Sequence, residues 1–362
     1  MSESTTPGYE EAASNPEETV AEFEDTRKGL IGKLQHVLHV NPALVPLIVL
    51  VASIILFGML VGQRFFSPFA MTLILQQVQI VGIVAAAQSL VILTAGIDLS
   101  VGAIMVLSSV VMGQMVFTYG VPVELAIIAG LLVGLLCGAL NGWLVAYMKL
   151  PPFIVTLGMW QIVLASNFLY SANQTIRSQD IEQNAPLLQF LGSTFKIGAD
   201  ADGRGGATFT FGVIAMVLIF AFLAYALKHT AWGRHIYAVG DDPDAAQLSG
   251  VNVKRTLISV YSVTGFICAI AGWALIGRIG SVSPTSGQLL NIESITAVVI
   301  GGISLFGGRG SILGPLFGAL IVGVFTLGLR LAGADAQWTF LLIGALIIGA
   351  VAVDQWIRKV SA

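Results

Sequence analysis

Apolar residues run along this chain in long blocks rather than at alternating or amphipathic spacing. Ten blocks reach or approach the roughly 20 residues a helix needs to cross a bilayer. They cover 44–62, 73–94, 101–118, 123–147, 153–172, 210–227, 257–277, 292–306, 312–330 and 336–353. The eighth is short, which leaves eight or nine crossings open if some blocks re-enter from one side. The pattern predicts an all-α fold, a polytopic membrane helical bundle of about ten transmembrane helices spanning 44–356.

Polar stretches divide the chain. Residues 1–26 are acidic and lack apolar periodicity, as expected of a disordered tail; they are unlike a signal peptide, which begins basic and turns apolar. In 27–43, Leu30, Ile31, Leu34, Val37 and Leu38 recur at helical spacing, with Lys33 and His36 opposite. That reads as an interfacial amphipathic helix or as an extension of the first span. The 173–209 loop is polar and Gly-rich and carries Asp180, Glu182, Asp200 and Asp202; it is either a contact for a soluble partner or a flexible connection. A polar segment over 228–256 and a tail over 357–362 complete the layout.

Composition agrees with lipid as the solvent. The chain is 56% hydrophobic and 10% charged, against about 25% charged in soluble domains. Charge supplies an orientation. With ten spans, one side holds Arg27, Lys28, Lys33, Lys149, Lys228, Arg234, Lys254, Arg255, Arg309, Arg358 and Lys359, and the other holds Arg64, Arg177, Lys196, Arg204, Arg278 and Arg330. The positive-inside rule puts the first set and both termini in the cytoplasm, and 173–209 in the periplasm. Cys137 and Cys268 sit in apolar runs without CxxC spacing, and the four histidines lie near membrane edges, so the sequence implies no metal or other cofactor.

The 228–256 segment contains a well-delimited short helix. Asp242 suits the N-cap, Pro243 the first helical position and Asp244 the positive end of the dipole. Ala245 and Ala246 form a small-residue face, and Gly250 suits a left-handed stop. The resulting helix over 243–249 is too short to be stable alone. It either docks on a partner or packs on its own chain.

A second feature is Asp98, an acid between two long apolar runs and bracketed by Gly96 and Gly102. The helix is expected to break there. Asp98 reads as a substrate-path residue, as a pivot between helices, or, with Ser100, as the cap of the span near Val101. Gly130, Gly134, Gly138 and Gly142 recur every four residues and make one smooth face, for packing within a subunit or between subunits. Gly96-Ile97-Asp98-Leu99-x-x-Gly102 is faintly echoed by Gly302-Ile303-Ser304-Leu305-x-x-Gly308, as in transporters with internal repeats.

Asp244-Ala245-Ala246-x-x-x-Gly250 resembles the EAA-x-x-x-G signature of ABC importer permeases, with Asp in place of Glu. The Ile-x-Leu-Pro that follows in maltose-type members is absent. The run Gly240 to Gly250 instead resembles the ribose-type pattern G-x-[DN]-x-x-A-A-x-x-[SA]-G. Gly96-Ile97-Asp98-Leu99-Ser100-Val101-Gly102, Asn141-Gly142, Leu150-Pro151-Pro152-Phe153-Ile154-Val155-Thr156-Leu157-Gly158 and Ile300 to Ser311 resemble the same ribose-, xylose- and fructose-type permeases, in the same order, and overall likeness is greatest to the fructose-type members of rhizobia. The resemblance implies an inner-membrane transport subunit that imports a monosaccharide, fructose first and ribose, mannose or xylose next, by alternating access. It implies ABC ATPase subunits docked on Asp242, Asp244, Ala245, Ala246 and Gly250, a periplasmic sugar-binding protein, and a second permease copy as a homodimer.

No G-x-x-x-x-G-K-[ST] occurs, nor H-E-x-x-H or G-x-S-x-G, so the chain is expected not to be an enzyme, and nothing points to nucleic acid. Candidate path residues are Gln88, Asp98, Asn141, Trp160, Gln161 and Asn167, polar or aromatic groups in apolar context; helix-to-helix hydrogen bonding is the alternative role for each. The competing function is a gradient-driven secondary transporter of a small polar solute, which would need buried ionisable relays; Asp98 is the one acid well inside the apolar body, with Glu293 at an edge.

Overall fold

The structure, a computed structural model, describes residues 43–198, 207–287 and 289–359. The expected acidic tail over 1–26, the amphipathic helix over 27–42 and the last three residues of the 357–362 tail lie outside the described residues. In chain order the helices are α1 (Leu44–Val61), α2 (Pro68–Leu93), α3 (Val101–Phe117), α4 (Val123–Tyr147), α5 (Pro152–Ser171) and α6 (Ser178–Asn184). A 3-10 turn (Pro186–Gly192) and an antiparallel pair, β1 (Thr194–Ile197) and β2 (Ala207–Thr210), follow. Next come α7 (Phe211–His229), α8 (Ala231–Asp241), α9 (Pro243–Leu248), α10 (Val253–Ile279), α11 (Leu290–Ile300), α12 (Leu313–Leu331) and α13 (Ala336–Lys359).

Each of the ten apolar blocks becomes one helix. Among the described residues, seven helices are long and apolar enough to cross a membrane; α3, α11 and the apolar part of α13 are shorter. Several boundaries differ from expectation: α10 starts at Val253 rather than 257, and α13 runs on to Lys359 rather than 353. α2 starts at Pro68 rather than 73, because Ser67 caps it by accepting from the Ala70 N–H at 3.2 Å. The block over 292–306 is no single span. Its helix ends at Ile300, and Gly302 turns left-handed at φ +77°. Hydropathy registers such glycines as apolar, whereas the backbone uses them to stop. α11 has 11 residues and so rises about 16 Å, against about 30 Å of hydrocarbon.

α10 lies at the centre and packs on α2, α3 and α4. The glycine row of α4 faces α10 and α3 of the same chain. A Cβ at Gly138 would overlap the Tyr261 carbonyl, and one at Gly130 would overlap Met112. Lipid supplies no hydrophobic drive between helices, so this close backbone contact holds them by dispersion. The opposite face of α4 leaves Leu132, Leu136 and Leu140 exposed, and α5 exposes Ile154, Ile162 and Leu169. Such a surface suits lipid and is foreign to water.

The described parts of the 173–209 connection, 173–198 and 207–209, pack against the bundle. Gln189 donates to the Gly280 carbonyl at 2.8 Å, and Trp273 donates to the Leu187 carbonyl at 3.2 Å. Thr208 N–H donates to Thr72 Oγ1 at 3.0 Å, and Ile176 bridges Val282. Its elements cap the end of the bundle opposite to α8 and α9.

Gly138→Ile is expected to lower the detergent melting temperature or abolish monodisperse protein, since overpacking costs about 1–3 kcal/mol and a rigid backbone neighbour raises that. Gly158→Ala, with no atom within 4 Å of its new carbon, should melt like the parent. Equal melting of both variants would refute the packing argument.

Candidate functional site: the capped helix and the two membrane breaks

The short helix forms for the reasons its residues suggest. Asp242 is its N-cap, and one carboxylate oxygen accepts from the N–H groups of Asp244 at 2.9 Å and Ala245 at 3.0 Å. Such a cap is worth about 1 kcal/mol. Gly250 ends it at φ +86°, with Val251 N–H donating to the Ala246 carbonyl at 3.0 Å. The helix spans six residues rather than seven. Its two alanines do not share a face: Ala246 is buried on its own chain and Ala245 points out. The outward apolar side chain is Leu248, 90% exposed, a residue absent from the sequence-based candidates.

The helix α8 leads into it and was also not anticipated. Thr230 caps α8 by accepting from the Gly233 N–H at 3.2 Å, and Gly233, Ile236, Val239 and Gly240 form its buried face. A cap followed by apolar residues three apart was present in the sequence, masked by the polar residues between them. Tyr237 of α8 donates to the Gly310 carbonyl at 2.9 Å, and burial pushes its phenol above the ordinary value.

At the end of α8, the chain passes between two interruptions of the membrane helices, 94–100 and 301–312. Gly308 N–H donates to the Leu93 carbonyl at 3.0 Å, joining them directly. Gly240 lies against this bond; a Cβ there would overlap the Leu93 carbonyl oxygen and sit 2.6 Å from the Gly308 nitrogen. A Cβ at Gly308 would lie 2.8 Å from Asp241 Cα.

The two interruptions start alike. Ala95 N–H donates to Ile92 and Gly96 N–H to Val91; Gly302 N–H donates to Val299 and Ile303 N–H to Val298. Both are left-handed helix stops, with Ala95 at φ +59° and Gly302 at +77°. The echo in sequence paired Gly96 with Gly302; the geometry pairs Ala95 with Gly302, one residue earlier.

Three of the six path candidates meet at the first interruption, Gln88 on the Asp98 backbone and Asn141 on Ser100, which also bonds the Asp98 carboxylate. Asp98 Oδ1 accepts from the Ser100 N–H at 2.7 Å and hydroxyl at 2.6 Å, and Asn141 Nδ2 donates to Ser100 Oγ at 2.9 Å. The Gln88 amide donates to the Asp98 carbonyl at 3.1 Å and accepts from its N–H at 3.3 Å, once its nitrogen is placed toward that carbonyl. All three side chains are buried. Thr156 of α5 donates to the Ile97 carbonyl at 2.9 Å, and Gly102 N–H, in the first turn of α3, donates to Asn291 of α11 at 2.6 Å. Asn167 is also buried and donates to the Pro284 carbonyl at 2.8 Å. Trp160 is half-buried and Gln161 exposed, both on α5.

A family model described as the permease component of a branched-chain amino acid transport system matches residues 70–351. The chain is 70% identical over 354 residues to the fructose import permease protein FrcC of Rhizobium meliloti, covering 98% of this chain and 96% of that one. It is 37% identical over 307 residues to the ribose import permease protein RbsC of Bacillus subtilis, covering 84% and 89%. It is 33% identical over 361 residues to the xylose transport system permease protein XylH of Escherichia coli, covering 86% and 91%. With the matched model extending over most of the chain and its helices laid out for repeated membrane crossing, the chain belongs to this family of permease components and is a multi-pass membrane transport subunit.

Proposed function

We propose that this chain is the membrane-spanning subunit of an ATP-driven, binding-protein-dependent importer of a monosaccharide, with fructose as the substrate. The 70% identity to a fructose import permease over nearly the whole chain carries the substrate. The mechanism rests on the junction of α8 with the two breaks. An ABC ATPase subunit grips α9 through Ala245 and Leu248, with Asp242 and Asp244 holding the helix in shape. Its closure on ATP pulls the end of α8, and Gly240, wedged between Leu93 and Gly308, moves both interruptions together. A small shift there is passed on because packed helices move as rigid elements.

The α9 end then faces the cytoplasm, as do both termini. Lys149, Lys228, Arg234, Lys254, Arg255 and Arg309 all belong to that end, as the positive-inside rule requires. The opposite end, capped by 173–209, receives sugar from a periplasmic binding protein. A second copy completes the path as a homodimer. Gln161, exposed on α5 among Phe153, Ile154, Ile162 and Leu169, belongs on a wall shared with the path or the second copy rather than on lipid. Gln88, Asp98, Asn141 and Asn167 hold helices to one another. A gradient-driven carrier is the competing reading, and it lacks an ATPase-docking role for α9.

Leu248→Asp together with Ala245→Glu is expected to abolish co-purification of the ATPase subunit and lower uptake at least tenfold, because about 1.4 kcal/mol of lost docking energy suffices for each factor of ten. Uptake that persists in this variant, or that stops with a protonophore while ATP stays high, would overturn the ATP-driven reading. In intact cells a membrane-impermeant maleimide should label Glu182→Cys, and Ser249→Cys only after permeabilisation; the reverse pattern inverts the topology. Unlabelled fructose should compete with labelled fructose more strongly than ribose, xylose or mannose, and failure of all four to compete would defeat the sugar assignment.

A further inference from the structure

A cavity of about 380 Å³ opens between α2, α11, α12 and α13, in the half of the bundle remote from α9. Its walls come from Gln77, from the first two turns of α11, from the last turns of α12 and from the first turns of α13. The volume lies at the small end of the roughly 300–1,000 Å³ typical of small-molecule pockets. Its lining is unusual for a membrane interior. It includes Glu293, Arg330, Gln77, Thr296 and Thr326, together with the ring of Phe340. Arg278 stands behind Gln77 and donates to its Oε1. Glu293 lies within electrostatic reach of Arg278, and Arg278 within reach of Arg330.

Charged groups in a membrane segment face a water-filled route or a partner, and these line a cavity. Their chemistry matches a polyol. A monosaccharide presents hydroxyl groups around its edge that both donate and accept, and a face of C–H groups. A carboxylate accepts two such hydroxyls, a guanidinium donates to others, an amide does both, and an aromatic ring covers the C–H face. The threonine hydroxyls are already committed, Thr296 to the Ile292 carbonyl at 2.7 Å and Thr326 to the Val322 carbonyl at 2.8 Å. They can still accept. The lining balances one carboxylate, Glu293, with one guanidinium, Arg330, and the Arg278 guanidinium stands behind Gln77; a lone carboxylate so offset by positive charge is a poor cation site.

The wall α11 makes the cavity responsive. It ends at Ile300 and runs straight into the interruption whose Gly308 meets Leu93 and Gly240. Its first turn also holds α3 through Asn291 and Gly102. Motion at the end of α8 therefore reaches the residues around Glu293 along one short rigid helix.

We propose that this cavity is a resting site for the sugar on its way through the permease, with Glu293, Gln77 and Arg330 bonding hydroxyls and Phe340 covering the apolar face. The inference rests on the importer reading and deepens it.

The test uses the complete importer, with ATPase and binding protein, in proteoliposomes. Glu293→Gln should raise the KM for fructose uptake about tenfold, the loss of one charged hydrogen bond, while binding-protein-stimulated ATP hydrolysis persists. Thr339→Cys, placed in a Cys137→Ser chain, should react with a small methanethiosulfonate, and D-fructose should slow that reaction where mannitol does not. Thr339 lines the cavity without belonging to the bonding set, so this variant reads occupancy even if Glu293→Gln misfolds. Labelling indifferent to fructose in an importer that transports normally overturns the site alone. Phosphatidylglycerol that is retained by the parent and lost from Arg330→Gln in native mass spectrometry, with an unchanged KM, also overturns it, by making the cavity a lipid-headgroup site. Absence of fructose uptake by the unaltered complex overturns the importer reading and the site with it.

Discussion

A single backbone bond, from the Gly308 N–H to the Leu93 carbonyl, ties together the two places where membrane helices stop inside this bundle. Hydrocarbon offers no water to a freed carbonyl or amide, so every interruption must be satisfied by protein. The stops at Ala95 and Gly302 consume the carbonyls of Val91, Ile92, Val298 and Val299 locally. Leu93 is answered only from the other interruption. That bond needs close approach of two backbones, and the chain leading to α9 also has to pass there. Glycine at 240, 307 and 308 is what leaves room. The exposed helix, the two breaks and the short helices α3 and α11 are thus arranged around one contact.

The buried polar groups obey the same constraint. Asp98 is tolerated because Ser100 donates to its carboxylate from both its N–H and its hydroxyl, while Gln88 holds the Asp98 backbone and Asn141 holds Ser100 from two further helices. A carboxylate so enclosed is a clasp between α2, α3 and α4. The polar groups around Glu293 differ in one physical respect: besides their bonds to protein, they line an open cavity. Burial against protein and burial against an open volume are opposite uses of the same residue types.

Much of the layout was legible beforehand. Asp242, Pro243 and Gly250 act locally, through a cap, a fixed φ and a left-handed stop, and local rules carry over unchanged. The helix ends at Leu93 and Ile300 were read with unequal success. At Asp98 a charge announced the break, whereas at Gly301 and Gly302 apolar composition concealed it. The helix α8 escaped notice because its apolar residues are few and interspersed with Arg234, His235 and Tyr237. Leu248 escaped because a single apolar residue has no pattern.

Residence in a bilayer, the number of helical blocks, the polarity of their connections and the form of the short capped helix follow from residue order, because solvent transfer and helix capping are properties of a few neighbouring residues. Which face of α4 meets α10, that Gln88 and Asn141 converge on the turn of Asp98 and Ser100, that Gly240 sits on the bond between Leu93 and Gly308, and that Gln77, Glu293 and Arg330 share a cavity were decided only in three dimensions. Asn141 stands 43 positions from Asp98, and Arg330 stands 253 from Gln77. Contacts of that range depend on how every intervening helix packs, which no local pattern encodes.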